Sequence, residues 1–230
     1  MNFWQWVRMI FAGAMEGILK WLPVSDTGHQ QFFQSICGET ELLNGPFLRL
    51  AAVVMEAGAL FALLLSFSHK LNPVSGYKTA DQKRNTASLL GKVLVSGIPF
   101  FAVASLMELL LPRISDMIFR SNWTVVVTML LGGAMLLLTE KYVQGKDPKT
   151  LKISELDGKT ALKVGGFELL LLFAGSGHIE LVLCAYLLFS ASRYVATEMA
   201  FYAAIPITLT RLVLACVRYF AIDKMGLGAT

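Results

Sequence analysis

Residues 13–29, GAMEGILKWLPVSDTGH, place Glu16, Lys20, Asp26 and His29 close together in a chain otherwise built of long apolar runs. Ionisable side chains at membrane depth cost about 2.5–3.5 kcal/mol each on insertion scales, so such a cluster implies mutual partners or a wet cavity. The stretch also interrupts its own helix. Pro23 cannot donate a backbone hydrogen bond, and Ser25, Asp26 and Thr27 are the residue types that cap a following helix. Free N–H groups at the start of that second helix can bind an anion, although an ordinary cap accounts for Ser25 or Asp26 alone equally well. Helix, break, helix is the reading, and a break at membrane depth is tolerated only against protein or a water-filled cavity.

The rest of the chain sets that depth. Of 230 residues, 55% are hydrophobic and 16% charged, with a mean hydropathy of +0.60, whereas soluble domains carry about 25% charged residues. Three runs are long and apolar enough to cross a bilayer: Phe47 to Phe67, Ala87 to Leu111 and Trp123 to Thr139. A fourth, Tyr194 to Ile222, is longer than one crossing needs and contains Pro206. Glu56, Glu108 and Glu198 lie within or near these runs. Of the three, Glu56 is placed near the cavity.

A net charge of +4 in a soluble protein would point to nucleic acid. Here the basic residues gather in two connections, Ser68 to Thr86 and Glu140 to Lys159, so the charge reads as topology and no nucleic-acid partner is expected. Two spans separate these connections, which puts both on the cytoplasmic side. Pro112 to Asn122 then faces outward, with Arg113 and Arg120 weakening the contrast. Trp4 and Trp6 suit an interfacial anchor. A start with only Arg8 charged and no small-x-small site argues for retention of these residues in the mature protein. Cys37, Cys184 and Cys216 form neither a metal pattern nor a disulfide framework.

A second broken segment echoes the first. Ala161 to Phe173 runs into AGSGH, so that Glu168 precedes a breaker and then Ser176, Gly177 and His178, as Glu16 precedes a breaker and then Ser25, Gly28 and His29. An odd number of crossings between them inverts one relative to the other, the arrangement of folds with a midplane site. The expected architecture is all-α: one polytopic integral membrane domain, residues 1–230, with inverted repeats and two re-entrant helical hairpins at about 3–36 and 161–192. Lys20 lies at i+4 from Glu16, where an ion pair forms. His29 and His178 are candidate acid–base groups because imidazole titrates near neutrality. Glu180 is near enough in sequence to share the site of His178. Gly132 and Gly133 are expected to permit close helix contact.

These residues resemble a known family. GAMEGILKWLPVSDTGH is similar to the first signature, EGxTEFLPxSSTGH, of the bacterial undecaprenyl-diphosphate phosphatases. The resemblance continues through VVMEAGALFALLLSFSHKLNP, through Gly97, Ile98 and Pro99, and through SRYVATEMAFYAAIP, which is similar to SRxxAxEFSFLLAIP. It implies hydrolysis of a polyprenyl diphosphate to the monophosphate, recycling a cell-wall lipid carrier in the bacterial inner (plasma) membrane. It also implies inverted repeats with re-entrant hairpins and a site open to the outer face.

Residue by residue, Glu16, His29, Ser25 and Thr27 match the signature, so the resemblance implies catalysis by Glu16 and His29 and phosphate binding by Ser25 and Thr27; Asp26 is expected beside the catalytic pair, and Lys20, Ser176 and His178 among the phosphate-binding residues. The chain departs from the pattern where the chemistry lies. Lys20 stands at the second glutamate, Asp26 at the second serine, Glu56 at the usual glutamine, and His178 at the phosphate-binding arginine of PGTSRSG. Arginine grips phosphate through a permanent charge and a fork of donors, and neutral histidine has neither. A rewired site is one expectation, with Lys20 supplying the missing cation while Glu16 and Asp26 hold a divalent cation, Mg²⁺ or Ca²⁺. The other readings are a catalytically impaired relative that binds or transports a lipid phosphate, and a structural variant of the fold. Relatives of this kind usually continue through further membrane helices beyond the point matching Thr230, so the last elements of the second half are expected to be lacking. Homo-oligomerisation would cover the face this exposes.

Overall fold

The computed structural model describes residues 3–37, 46–119 and 121–223. Arg120 and the side chains of Trp4, Arg8 and Cys37 lie outside the described residues. The elements in chain order are α1 (Phe3–Leu19), α2 (Asp26–Cys37), α3 (Pro46–Leu71), α4 (Ala80–Leu110), α5 (Pro112–Phe119), α6 (Asn122–Val143), α7 (Gly158–Glu168), α8 (His178–Leu188) and α9 (Arg193–Val217). Short 3-10 turns occupy Ile153–Glu155 and Leu169–Leu172, and a π-helical turn, Arg218–Asp223, extends α9.

Four helical stretches are long and apolar enough to cross a membrane: Val53–Leu71, Ala80–Leu110, Asn122–Val143 and Arg193–Phe220. Their outward faces carry Phe61, Leu65, Leu94, Leu109, Leu130, Leu137 and Leu138, all exposed. Contiguous apolar surface on this scale is stable against lipid and not against water. The protein is an all-α, multi-pass membrane protein, as its composition implies.

Helix ends depart from the apolar runs for local reasons. α4 starts at Ala80 rather than Ala87 because Thr79 and Gln82 close a capping box, Gln82 N–H to Thr79 Oγ1 at 3.3 Å and Thr79 N–H to Gln82 Oε1 at 3.0 Å. The outward connection is not open loop. Pro112 begins α5 as its first residue, where a missing N–H costs nothing, and Ser121 caps α6 through Thr124 N–H at 3.1 Å. Asp157 caps α7, and the hydroxyl and backbone N–H of Thr160 hold its carboxyl below the usual range.

The two basic connections meet at one end. Lys92 Nζ donates to the Ile153 carbonyl at 3.2 Å, Arg193 pairs with Glu140, and Lys70 pairs with Glu198. Thr150 and Ala191 form an isolated parallel bridge beside them. This placement agrees with the parity argument that both connections share a side.

The core lies around α8 and α9. Tyr186, Tyr202, Met199, Val182, Val195 and Cys184 are fully buried. With eleven residues, α8 reaches only about 16 Å, roughly half of the hydrocarbon layer, and it is buried almost all round. Two prolines mark where helices touch α4. A Cβ on Gly97 would stand 2.7 Å from Pro206 Cβ of α9, and one on Gly165 of α7 would stand 3.1 Å from Pro99 Cδ. Glycine is required at both contacts. α9 continues as helix through Pro206.

Candidate active site

The first broken segment folds as its residue types dictate. Trp21 and Leu22 N–H reach back to Ile18 and Leu19 O in a tightening last turn, Pro23 ends it, and Ser25 caps α2 with its Oγ accepting from Gly28 N–H at 3.0 Å. Asp26 Oδ1 accepts from Thr27 N–H at 2.7 Å. His29 Nδ1 donates to the Ser25 carbonyl at 2.6 Å, since a carbonyl only accepts. In the neutral ring this leaves Nε2 as the basic nitrogen.

The second broken segment is shaped by contact with α6. Ala174 N–H donates to Phe119 O at 2.7 Å, and Thr128 Oγ1 donates to Ala174 O at 2.5 Å. Gly175 has φ +95°, and a Cβ there would lie 2.5 Å from both Thr128 Oγ1 and Val125 O. Both backbone and space demand glycine. Gly177 then stands at the N-cap of α8, where a Cβ would lie 2.7 Å from Glu180 Oε2. Glu180 also lies against Gly132, whose Cβ would fall 2.6 Å from Glu180 Oε1. Gly133 has no such neighbour, so only one of the two glycines is a contact.

The two breaks touch. A Cβ on Gly177 would come within 2.7 Å of the Val24 carbonyl, which brings residues from the two halves of the sequence to one place. Around that contact Asp26 has Arg211, Lys20 and His178 as charged or ionisable neighbours. Arg211 Nη1 stands 3.9 Å from Asp26 Oδ2. His178 is 9% exposed, and neither ring nitrogen has a hydrogen-bond partner among the described residues. Ser176 is buried in the same turn, its N–H bonded to Phe173 O at 3.3 Å.

Lys20 does not stand free to meet a phosphate. Its Nζ is 2.7 Å from Glu56 Oε2 and 3.8 Å from Glu16 Oε1. The ammonium is shared by two carboxylates of α1 and α3. That arrangement does not fit a resident divalent cation at Glu16 and Asp26, because Lys20 already compensates Glu16. Among the described residues no three His, Cys, Asp or Glu side chains converge as a ligand set.

One cavity of about 710 Å³ runs alongside. Phe100, Ala104, Met107, Leu171, Leu172 and Leu214 make its wall apolar, while Thr27, Gln31, Glu56 and Arg211 make one region polar. It also reaches Ser115 of α5 and Arg218 beyond α9, at the end of the molecule away from the basic connections. Arg218 is held by Glu108 at 3.0 Å. Of the residues expected at the site, Thr27 lines this cavity, and Asp26 and His178 adjoin its Arg211. Ser25 and the His29 Nδ1 serve the turn itself.

Sequence reasoning passed over Arg211. Its signal was a guanidinium well inside the apolar run Tyr194 to Ile222, seven residues before the second arginine of that run, Arg218, a position where a charge is costly without a purpose.

Comparison with known proteins agrees with the geometry. The family described as bacitracin resistance protein BacA matches residues 9–228. The undecaprenyl-diphosphatase of Lachnoclostridium phytofermentans is 32% identical over 206 residues, covering 90% of this chain and 73% of its own length. That of Enterococcus faecalis is 32% identical over 206 residues, 90% and 71%, and that of Lactiplantibacillus plantarum 33% over 217 residues, 93% and 76%. A match over nearly the whole chain, joined to two broken hairpins that meet at a half-apolar cavity, makes this chain a member of the BacA bacitracin resistance protein family.

Proposed function

We propose that this chain hydrolyses a polyprenyl diphosphate of the undecaprenyl class to the monophosphate, in a bacterial plasma membrane. The observation that carries the proposal is a cavity that joins an apolar wall to a polar region at Thr27, Gln31, Glu56 and Arg211. A lipid diphosphate has this same division between an apolar tail and a charged head.

The reaction needs water to attack the terminal phosphorus, cleavage of the bridging P–O bond, and a proton for the leaving lipid phosphate. His29 is the candidate for moving that proton, since its Nδ1 is committed to the Ser25 carbonyl and its Nε2 is left basic. Glu16 assists from α1. Thr27, at the start of α2, meets a phosphate oxygen through its hydroxyl, whose contact to Asp26 Oδ1 is a long 3.3 Å, while its N–H and that of Gly28 stay with Asp26 and Ser25. The cavity extends toward α5, away from the basic connections, which supports access from the outer face.

The test is phosphate release by the purified chain in detergent from a polyprenyl diphosphate, with Mg²⁺, with Ca²⁺ and with chelator. Saturable release supports the proposal, and dependence on either cation restores the metal that Glu16 and Asp26 alone do not accommodate. Binding without release favours a lipid-phosphate binder or carrier, the reading that the Lys20–Glu56 pair and the histidine at position 178 favour. Neither release nor binding overturns both.

A further inference from the structure

We propose that Arg211 of α9 is the residue that grips the substrate phosphate in this chain, aimed by Asp26 and flanked by the His178 ring. The inference rests on the phosphatase reading for its substrate and on the cavity for its place.

Three observations converge on Arg211. It lines the cavity together with Thr27 at the start of α2. Its side chain retains 24% exposure, and the contact to Asp26 is a loose 3.9 Å, so the guanidinium keeps donors free for a second anion. Beside it His178 is 9% exposed with both ring nitrogens lacking a partner among the described residues. A buried imidazole without partners loses hydrogen bonds that it would have made in water. A phosphate oxygen held by Arg211 would accept one.

The other cations near the site are committed. Lys20 lies between Glu56 and Glu16, and Arg218 holds Glu108 at 3.0 Å. A guanidinium also suits the task better than an ammonium, since its planar fork donates to two phosphate oxygens at once. Asp26 then acts as a positioning residue. It holds the guanidinium toward Thr27 and balances its charge until the substrate arrives.

The experiment compares wild type, Arg211→Ala, Arg211→Lys, Arg211→Ala with His178→Arg, and Arg193→Ala as a control at the loop end. Two readouts are phosphate release and binding of polyprenyl diphosphate, the latter with inorganic pyrophosphate as competitor to separate headgroup from lipid recognition. Thermal unfolding confirms that each variant is folded. Arg211→Ala is expected to lose about 100-fold in kcat/KM, the scale of a preorganised charge donor, and Arg211→Lys about 10-fold, with Arg193→Ala unchanged. A guanidinium returned from the other hairpin by His178→Arg recovers about 10-fold, which a merely structural role for Arg211 would not allow. If wild type binds but does not turn over, a 10-fold or greater loss of binding in Arg211→Ala still supports the grip while the phosphatase reading fails. Folded Arg211→Ala within threefold of wild type in release and binding overturns the inference, and a wild type that neither binds nor hydrolyses overturns it with the reading it rests on.

Discussion

The ammonium of Lys20 and the carboxylate of Glu56 stand 2.7 Å apart, with Glu16 Oε1 3.8 Å from the same nitrogen. Three charges on α1 and α3 thereby leave one net negative charge at the edge of the cavity. Removing one member of a buried pair costs about 3–5 kcal/mol, because the remaining charge is stranded. Lys20→Met is expected to destabilise the protein by about 3 kcal/mol, and Lys20→Met with Glu56→Gln to recover most of it. Thermal unfolding of the four proteins of this double-mutant cycle in detergent is the measurement. Strictly additive effects would show that the pair is not coupled.

The second turn should be the least tolerant place in the chain. Gly175→Ala puts a methyl group 2.5 Å from Thr128 Oγ1 and Val125 O at a positive φ, so a loss of about 3 kcal/mol or failure to fold is expected. Gly132→Ala meets the Glu180 carboxylate at 2.6 Å and should cost about 1–2 kcal/mol. Its neighbour Gly133 faces open space. Gly133→Ala should be neutral or slightly stabilising through helix propensity, and equal melting shifts for the two adjacent changes would contradict the assigned packing.

Ser25 and His29 separate folding from chemistry. Ser25→Ala removes the cap on Gly28 N–H and is expected to cost about 1 kcal/mol of stability. His29→Gln is expected to lower kcat by about 100-fold or more while lipid binding persists within a few-fold. A variant that lost binding and turnover together would place His29 in substrate recognition instead.

Much of this could be read from the residues, because membrane depth makes departures from apolarity informative. Pro23 with Ser25 to Gly28, and Gly175 with Gly177, announced two breaks, and the structure shows each as a turn between helices. The i, i+4 relation of Glu16 and Lys20 survives as an ion pair, and Glu56 lines the cavity where its charge suggested. What was not legible depends on distant packing. That Lys20 belongs more to Glu56 than to Glu16 is decided by where α3 docks against α1. Arg211 lies in a different helix from every residue expected in catalysis or phosphate binding, and only the placement of α9 near α2 brings it to Asp26. Gly132 and Gly133 are adjacent and identical in type, and no local rule tells which one faces Glu180.

The proposed function requires that the cavity beside the two broken hairpins take a lipid diphosphate. The most direct measurement is phosphate release from a polyprenyl diphosphate by the purified wild-type chain, with Arg211→Ala in parallel. Wild type is expected to release phosphate saturably, and the folded variant to show about 100-fold lower kcat/KM. Absence of both release and lipid binding in a folded wild-type protein would contradict that function.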